Sequence, residues 1–275
     1  MKKEIRENIK SNYHTHTFLC KHAIGDVEDY VKRAIDLGYH TIAITDHGPF
    51  PKFLQKRLHS RRMSFEQYEE IYLDHLNRAK KEHSNEIRIL TGLEIEYMNE
   101  LKLYYNRFLS QLDFLILGQH YIKIGDEYVS VFEHMLSDEE IEIYTKTVVE
   151  GMNSKQFKIL AHPEIFSWDI IEWNEKCQEA AKRIIASAIQ NDVILEINVN
   201  GVRNSIYQGK EIIENNRIVN CPYPRKEFWK LAGEMNAKVM INDDAHSPNR
   251  ICDEYTELVY EEVLKYGKIN LVDRL

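Results

Sequence analysis

Proline and glycine are scarce in this chain, 6 and 11 among 275 residues, and neither gathers into a run. With no Pro/Gly/Ser-rich stretch to serve as a tether, one domain over residues 1–275 is the expectation. Cysteine is scarce too. Cys20, Cys177, Cys221 and Cys252 are too scattered for a C-x-x-C zinc or redox motif, and a reduced, cytoplasmic interior is expected. No apolar run approaches the roughly 18 residues a membrane helix needs. The opening M-K-K-E-I-R-E-N-I-K lacks the apolar core of a secretion signal, so neither export nor a membrane partner is expected. A basic excess is also missing. Lys plus Arg is 36 against 44 Asp plus Glu, a net charge of −8 with a pI near 5.9. Such a chain does not grip a nucleic-acid backbone unaided, so no nucleic-acid partner is expected. A small anionic substrate would need local cations, from metal ions or individual arginines. The oligomeric state is left open.

What is present is a regular alternation of helical and strand patterns. Residues 26–37 place Val27, Tyr30, Val31, Ala34 and Ile35 on one helical stripe, opened by Asp26 and closed by Gly38. The β-branched run 41–45 follows, so the first two strands form a parallel βαβ unit. Residues 50–63 are long and basic for a connection, as a lid over a strand end would be. Helices are expected over 64–83, 99–109, 138–152, 175–190 and 226–236. Strands are expected over 88–97, 114–120, 157–164, 193–199 and 238–241, and the first strand carries Tyr13 to His16. Seven continuous apolar strands alternating with helices predict a parallel sheet covered on its outer face. Polar residues gathered at the C-terminal ends of all the strands favour a closed barrel over an open doubly wound sheet.

Those strand ends hold the chemistry. Residues 12–22, N-Y-H-T-H-T-F-L-C-K-H, place three imidazoles within nine residues, and His14 and His16 at i and i+2 share one face of a strand. His47, Glu94, His120, His162, Asp244 and His246 close later strands. Seven of the 12 histidines fall in these motifs; His40, His59, His75, His83 and His134 fall in helices, loops or strand starts. Nine nitrogen and oxygen ligands without sulfur are too many for one ion and suit two or three zinc, manganese or iron ions. Such ions a few ångströms apart clamp a phosphoryl group and ready a bound water for in-line attack, which predicts phosphoester hydrolysis.

The combination H-T-H-T-F-L-C-K-H (14–22), I-T-D-H (44–47), G-L-E-I-E (92–96), G-Q-H (118–120), A-H-P-E (161–164), L-E-I-N-V-N-G-V-R (195–203) and D-D-A-H (243–246) resembles the PHP (polymerase and histidinol phosphatase) superfamily, and within it the histidinol-phosphate phosphatases. The motifs span nearly the whole chain in the family's order. The resemblance implies an α/β fold, a distorted (β/α)7 barrel with a trinuclear metal site at the C-terminal ends of the strands. It assigns His14, His16, Glu94 and Asp244 to one metal, Glu94, His120 and His162 to a second, and His22, His47 and His246 to a third. Glu94 bridges the first two. Glu94, Asp244 and His246 are the expected catalytic residues, around a hydroxide held by the metals; the leaving-group proton donor is open between Asp244 and a metal-bound water.

Phosphate recognition calls for a bidentate arginine. Arg203, in the loop after the sixth strand, is the leading candidate and Arg225 the second; Arg57, Arg61 and Arg62 in the basic connection rank lower, as a solvated face. Glu196, Asn198, Glu96 and Asp46 are candidates to orient the ligands. The implied activity is hydrolysis of L-histidinol phosphate to L-histidinol and phosphate in histidine biosynthesis. The rivals are a phosphodiesterase or exonuclease of the same superfamily, a phosphatase of another small monoester, and a non-catalytic metal-binding domain.

Overall fold

A computed structural model describes residues 9–275. Residues 1–8, which make up most of the segment read above for a secretion signal, lie outside it. The sheet consists of β1 (Ser11–Asn12), β2 (Thr41–Ile44), β3 (Arg88–Ile95), β4 (Phe114–Leu117), β5 (Ile159–Leu160), β6 (Ile194–Asn198), β7 (Lys238–Asn242) and β8 (Asn270–Leu271). They pair side by side in that order, and every pairing is parallel. The sheet curls until its ends meet. Just beyond β1 and β7, Thr15 bridges Ala245 in parallel register, with the His16 amide donating to the Ala245 carbonyl at 2.9 Å. At the opposite end β8 extends the sheet from β7 toward β1, where the Ser11 hydroxyl donates to the Asp273 carbonyl at 2.7 Å. The architecture is the expected distorted α/β barrel, with one strand more than the seven anticipated. Two residues are too few to show a strand period in sequence.

Alternation along the strands explains why one end of this barrel is apolar and the other polar. Side chains two apart share a face, so each strand sends a column of residues inward. On β3 the inward column reads Leu90, Gly92, Glu94, Glu96; on β6, Ile194, Glu196, Asn198; on β7, Met240, Asn242, then Asp244. The lower members join Tyr13, Ala43, Phe114, Ile116 and Ile159 in a small apolar plug. The upper members are buried polar groups at the C-terminal rim. The alternate set, including Ile42, Ile44, Leu93, Ile95, Leu115 and Ile197, faces the helices in the larger core. Burial on both faces is why the strands read as continuous apolar runs.

Helix Val27–Asp36 forms as the stripe predicts: Asp26 and Asp29 close a capping box, Val27, Tyr30, Val31 and Ala34 are buried, and Gly38 follows at φ +71°. The expected helix over 64–83 starts at its Ser64–Gln67 capping box but contains a π-helical turn, Tyr68–Tyr72. That turn carries the Tyr72 hydroxyl beneath the barrel rim, where it accepts from the Asp46 amide at 3.1 Å and lies 2.8 Å from the Gly92 carbonyl. Elements absent from the sequence reading are the hairpins Tyr121–Ile124/Glu127–Ser130 and Ile213–Glu214/Arg217–Ile218, and the helices Lys52–Arg57, Asn200–Tyr207 and Glu254–Val263. Helix Asn200–Tyr207 replaces the loop expected around Arg203. Among the described residues no helix is long and apolar enough to cross a membrane.

Candidate metal centre

The centre is built around the Glu94 carboxylate, buried at the top of β3. Its Oε2 lies 2.9 Å from His47 Nδ1, 3.4 Å from His14 Nε2 and 3.6 Å from His16 Nε2. Its Oε1 lies 2.9 Å from His162 Nε2 and 3.4 Å from His120 Nε2. Five imidazoles from four other strand ends thus converge on one carboxylate. Burial by itself would raise the Glu94 carboxyl, but His120, His14 and His47 hold it well below the ordinary carboxylate range.

The i, i+2 spacing on the first strand does what it predicts: His14 and His16 point inward together, their Nε2 atoms 3.0 Å apart. Asp244 Oδ1 lies 2.9 Å from His16 Nε2 and 3.4 Å from His246 Nδ1. The other Asp244 oxygen is held at 3.2 and 3.3 Å by the side-chain amides of Asn198 and Asn200. Burial would raise Asp244 as well, yet His14, His16 and His246 keep it far below its usual value. The rings of His22, His47 and His246 form the outer group, with His22 centred 5.2 Å from His47 and 4.9 Å from His246. Burial, reinforced by His16, pushes His246 down to about 3, so its imidazole is neutral at pH 7 and free to act as a ligand.

Acceptors behind three of the rings fix which nitrogen turns inward. His14 Nδ1 contacts Glu196 Oε1 at 2.8 Å, His120 Nδ1 contacts Glu96 Oε1 at 2.8 Å, and His22 Nδ1 donates to the Cys20 carbonyl at 2.8 Å. Each contact leaves Nε2 facing the cavity, the arrangement that metal-ligating histidines adopt. Glu196 also accepts from the His162 amide at 3.3 Å and from the side-chain amides of Asn198 and Asn242 at 2.8 and 3.0 Å. Asp46 accepts from the Thr17 amide and hydroxyl and lies 3.5 Å from His16 Nδ1.

Three features show that this cradle fits divalent cations. Asp244 Oδ1 and His47 Nδ1 are buried with no hydrogen bond among the described residues, although each lies within 3 Å of an oppositely polar atom. Ligand atoms in the cradle are separated by 2.9–3.7 Å, bracketing the roughly 3.3 Å expected between two atoms bound tetrahedrally at 2.0–2.1 Å. The sets His14–His16–Glu94, Glu94–His120–His162 and His16–His47–His246 each bring three ligand atoms together. Two of the candidate ligands, His162 at φ +32° and Asp244 at φ +46°, sit in a backbone region that non-glycine residues avoid, so the fold bears strain to aim them. Cys20, set aside in the sequence, also lies in this neighbourhood, grouped with His22 and His246. Burial and then Asp46 push its thiol up to about 12, so it enters as a neutral group.

The predicted phosphate arginines are not here. Arg203 is buried, with Nε and Nη2 donating to Asp253 at 2.9 and 2.7 Å, and Nη1 to the Asp243 carbonyl at 2.7 Å. Arg225 donates to Glu227 at 3.1 Å and to the carbonyls of Ile170 and Ile171 at 3.0 and 2.9 Å. Both guanidiniums are engaged by the protein, and neither lines the cavity over the candidate ligands, so the structure does not place them where they were expected to meet phosphate. That cavity, about 370 Å³, is walled by Arg61, Arg62 and Arg250 together with Tyr121, Phe132, Asn204 and Tyr223. Arg62 comes from the basic connection that ranked lowest, where no period marks one arginine from the next. Four of the five histidines outside the motifs pair elsewhere, His40 with Asp273, His75 with Asp26, His83 with Glu28 and His134 with Glu140.

The profile of the PHP domain matches residues 12–200, more than half of the chain. The chain belongs to the PHP domain family. Among its PHP relatives, a "Probable histidinol-phosphatase" of Deinococcus radiodurans is 22% identical over 90% of both chains. A histidinol-phosphatase of Bacillus subtilis is 28% identical over 44% of this chain and 47% of its own. A histidinol phosphate phosphatase of Lactococcus lactis, solved with zinc, L-histidinol and phosphate, has the same PHP fold: TM-score 0.68, 19% identity, covering 96% of this chain and 95% of that one.

Proposed function

We propose that this PHP protein is a metal-dependent phosphatase of small phosphomonoesters, with L-histidinol phosphate as its substrate and histidine biosynthesis as its setting. The observation that carries the reading is the convergence of five imidazoles on Glu94 beneath a cavity of about 370 Å³. A space of that size suits a small molecule. A polynucleotide would need an extended basic track, and the chain carries a net charge of −8, which weighs against the exonuclease alternative. The names of the Deinococcus, Bacillus and Lactococcus relatives support the choice of substrate. A complete ligand set argues against a non-catalytic metal-binding domain.

His14, His16, Glu94 and Asp244 are proposed to hold one divalent transition metal, Glu94, His120 and His162 a second, and His22, His47 and His246 a third, with zinc, manganese or iron as candidates. Ions bound there would supply Lewis acidity, neutralising phosphate oxygens and lowering the pKa of water toward about 7. The chain's own contribution is placement. Glu94, with both oxygens engaged by imidazoles, ties two ligand groups into one unit. Glu196 and Glu96 turn the rings of His14 and His120 so that Nε2 faces the cavity. Asn198 and Asn200 occupy one oxygen of Asp244 and leave the other for the reacting centre. Residues from 14 to 246 contribute, so the chain is proposed to work as a single domain. Four buried free cysteines fit a reducing, cytoplasmic setting.

The test is a substrate panel on metal-replete protein: histidinol phosphate, other phosphomonoesters and single-stranded DNA. Histidinol phosphate should lead by at least about tenfold in kcat/KM, a difference of roughly 1.4 kcal/mol. Faster turnover of another monoester would reassign the substrate, and faster turnover of DNA would overturn the phosphatase reading.

A further inference from the structure

Arg62 is the one arginine of the cavity wall that is buried, 4% exposed, and the protein holds it by only part of its guanidinium. Nε donates to the Ser60 hydroxyl at 3.0 Å, Nη2 donates to Glu96 Oε1, and the guanidinium carbon stacks 4.2 Å from the centre of the Phe50 ring. Nη1 is buried and, like Glu96 Oε2, has no hydrogen-bond partner among the described residues. A buried charged donor without an acceptor costs roughly 1–3 kcal/mol or more, and native proteins rarely leave one unless something else supplies the acceptor. Glu96 makes the placement specific, because the same Oε1 that accepts from Arg62 also contacts His120 Nδ1 at 2.8 Å. One carboxylate oxygen therefore ties an inward-facing candidate-ligand imidazole to the guanidinium of a residue that lines the same cavity. Arg250, at the loop after β7, also lines the cavity, with no ion pair among the described residues, but is partly exposed, and hydration weakens what it can contribute.

We propose that Arg62 is the phosphate-reading residue of this site, donating through Nη1 to a terminal oxygen of the substrate phosphate, the role that Arg203 and Arg225 are too fully engaged to play. The proposal rests on the phosphatase reading above. A monoester offers three terminal oxygens and a diester two, so a charged donor added beside the metal cradle favours the monoester. A guanidinium locked by Ser60, Glu96 and Phe50 loses little further side-chain entropy on binding, which makes it a pre-organised anion contact.

The experiment compares metal-replete wild type with Arg62→Met, Arg62→Lys and Arg203→Met in three measurements: metal content, calorimetric binding of inorganic phosphate, and hydrolysis of p-nitrophenyl phosphate and bis-p-nitrophenyl phosphate. Arg62→Met should weaken phosphate binding and kcat/KM on the monoester roughly 10- to 100-fold, the value of one charge-assisted hydrogen bond. Metal content should hold, and diester hydrolysis should stay within about threefold of wild type. Arg62→Lys keeps a cation for Glu96 but loses the second arm of the fork; it is expected to keep the fold and still lose phosphate affinity by more than about threefold, and it decides the matter if Arg62→Met does not fold. Folded Arg203→Met should bind phosphate as wild type does. Phosphate affinity within about threefold of wild type in both Arg62 variants overturns the proposal. So does a parallel loss of metal and phosphate, which would reduce Arg62 to a support for Glu96 and His120. If Arg62→Met loses phosphate binding while wild type turns over no monoester at all, the phosphatase reading fails and the anion contact stands.

Discussion

Gly118 and Glu94 touch so closely that a β-carbon at position 118 would stand 2.1 Å from Glu94 Oε1. The glycine before His120 in G-Q-H therefore makes room for the carboxylate on which the whole centre converges. Gly118→Ala must displace Glu94, since the clash is with the functional end of the side chain. Metal affinity should fall by at least the roughly 10- to 100-fold that follows loss of a supporting contact. The chain should still fold, because the strands either side are held by the barrel. Competition with a chromophoric chelator reads the loss; unchanged metal affinity would mean that Glu94 is not a ligand.

Glu94→Gln should disturb two metals together, because a neutral amide does not bridge two cations as a carboxylate does. Elemental analysis of the reconstituted variant should show the loss of two ions for one substitution. His40→Ala is the matched control, since His40 pairs with Asp273 and contributes nothing to the centre. Equal loss of activity in the two variants would refute the assignment of Glu94.

Arg203→Met is predicted to be a stability variant. Its guanidinium is buried against Asp253 and Asp243 and also donates to the Arg250 carbonyl at 2.9 Å. Removing one member of a buried ion pair strands the other, at a cost of about 3–5 kcal/mol. Urea denaturation should show the midpoint falling without a change of slope. A midpoint close to that of wild type, with phosphate affinity lost, would return Arg203 to the role first expected of it.

Chelation should destabilise the native protein. Glu94 and Asp244 meet the histidines in one buried cluster, and cations bound only in the folded state add stability as RT ln(1 + [L]/Kd), about 2.7 kcal/mol at a hundredfold excess over Kd. Thermal melting should fall on treatment with a strong chelator and recover with zinc or manganese. A melting curve indifferent to both treatments would count against tight metal binding.

Local pattern was enough for the helix and strand rhythm, and with it the α/β barrel. Continuous apolar strands closing on histidines and carboxylates could fold only with the polar ends together, because a parallel sheet buried on both faces has nowhere else to put them. It also set the His14 and His16 pair through the two-residue period, the Asp26 and Ser64 caps, and every ligand candidate of the proposed centre. The tertiary structure decided which polar groups remain free. Arg203 and Arg62 are both buried arginines near the rim, and no local pattern separates them; Asp253 and Asp243 arrive from distant turns to occupy one, while Ser60, Glu96 and Phe50 hold the other with one N–H left over. It decided likewise that Gly118 makes space for Glu94, that Cys20 stands beside His246, and that two-residue β8 extends the barrel. Each of these depends on contacts between residues far apart in the chain, where hydrogen-bond valence and close packing set the outcome and local propensity has no say.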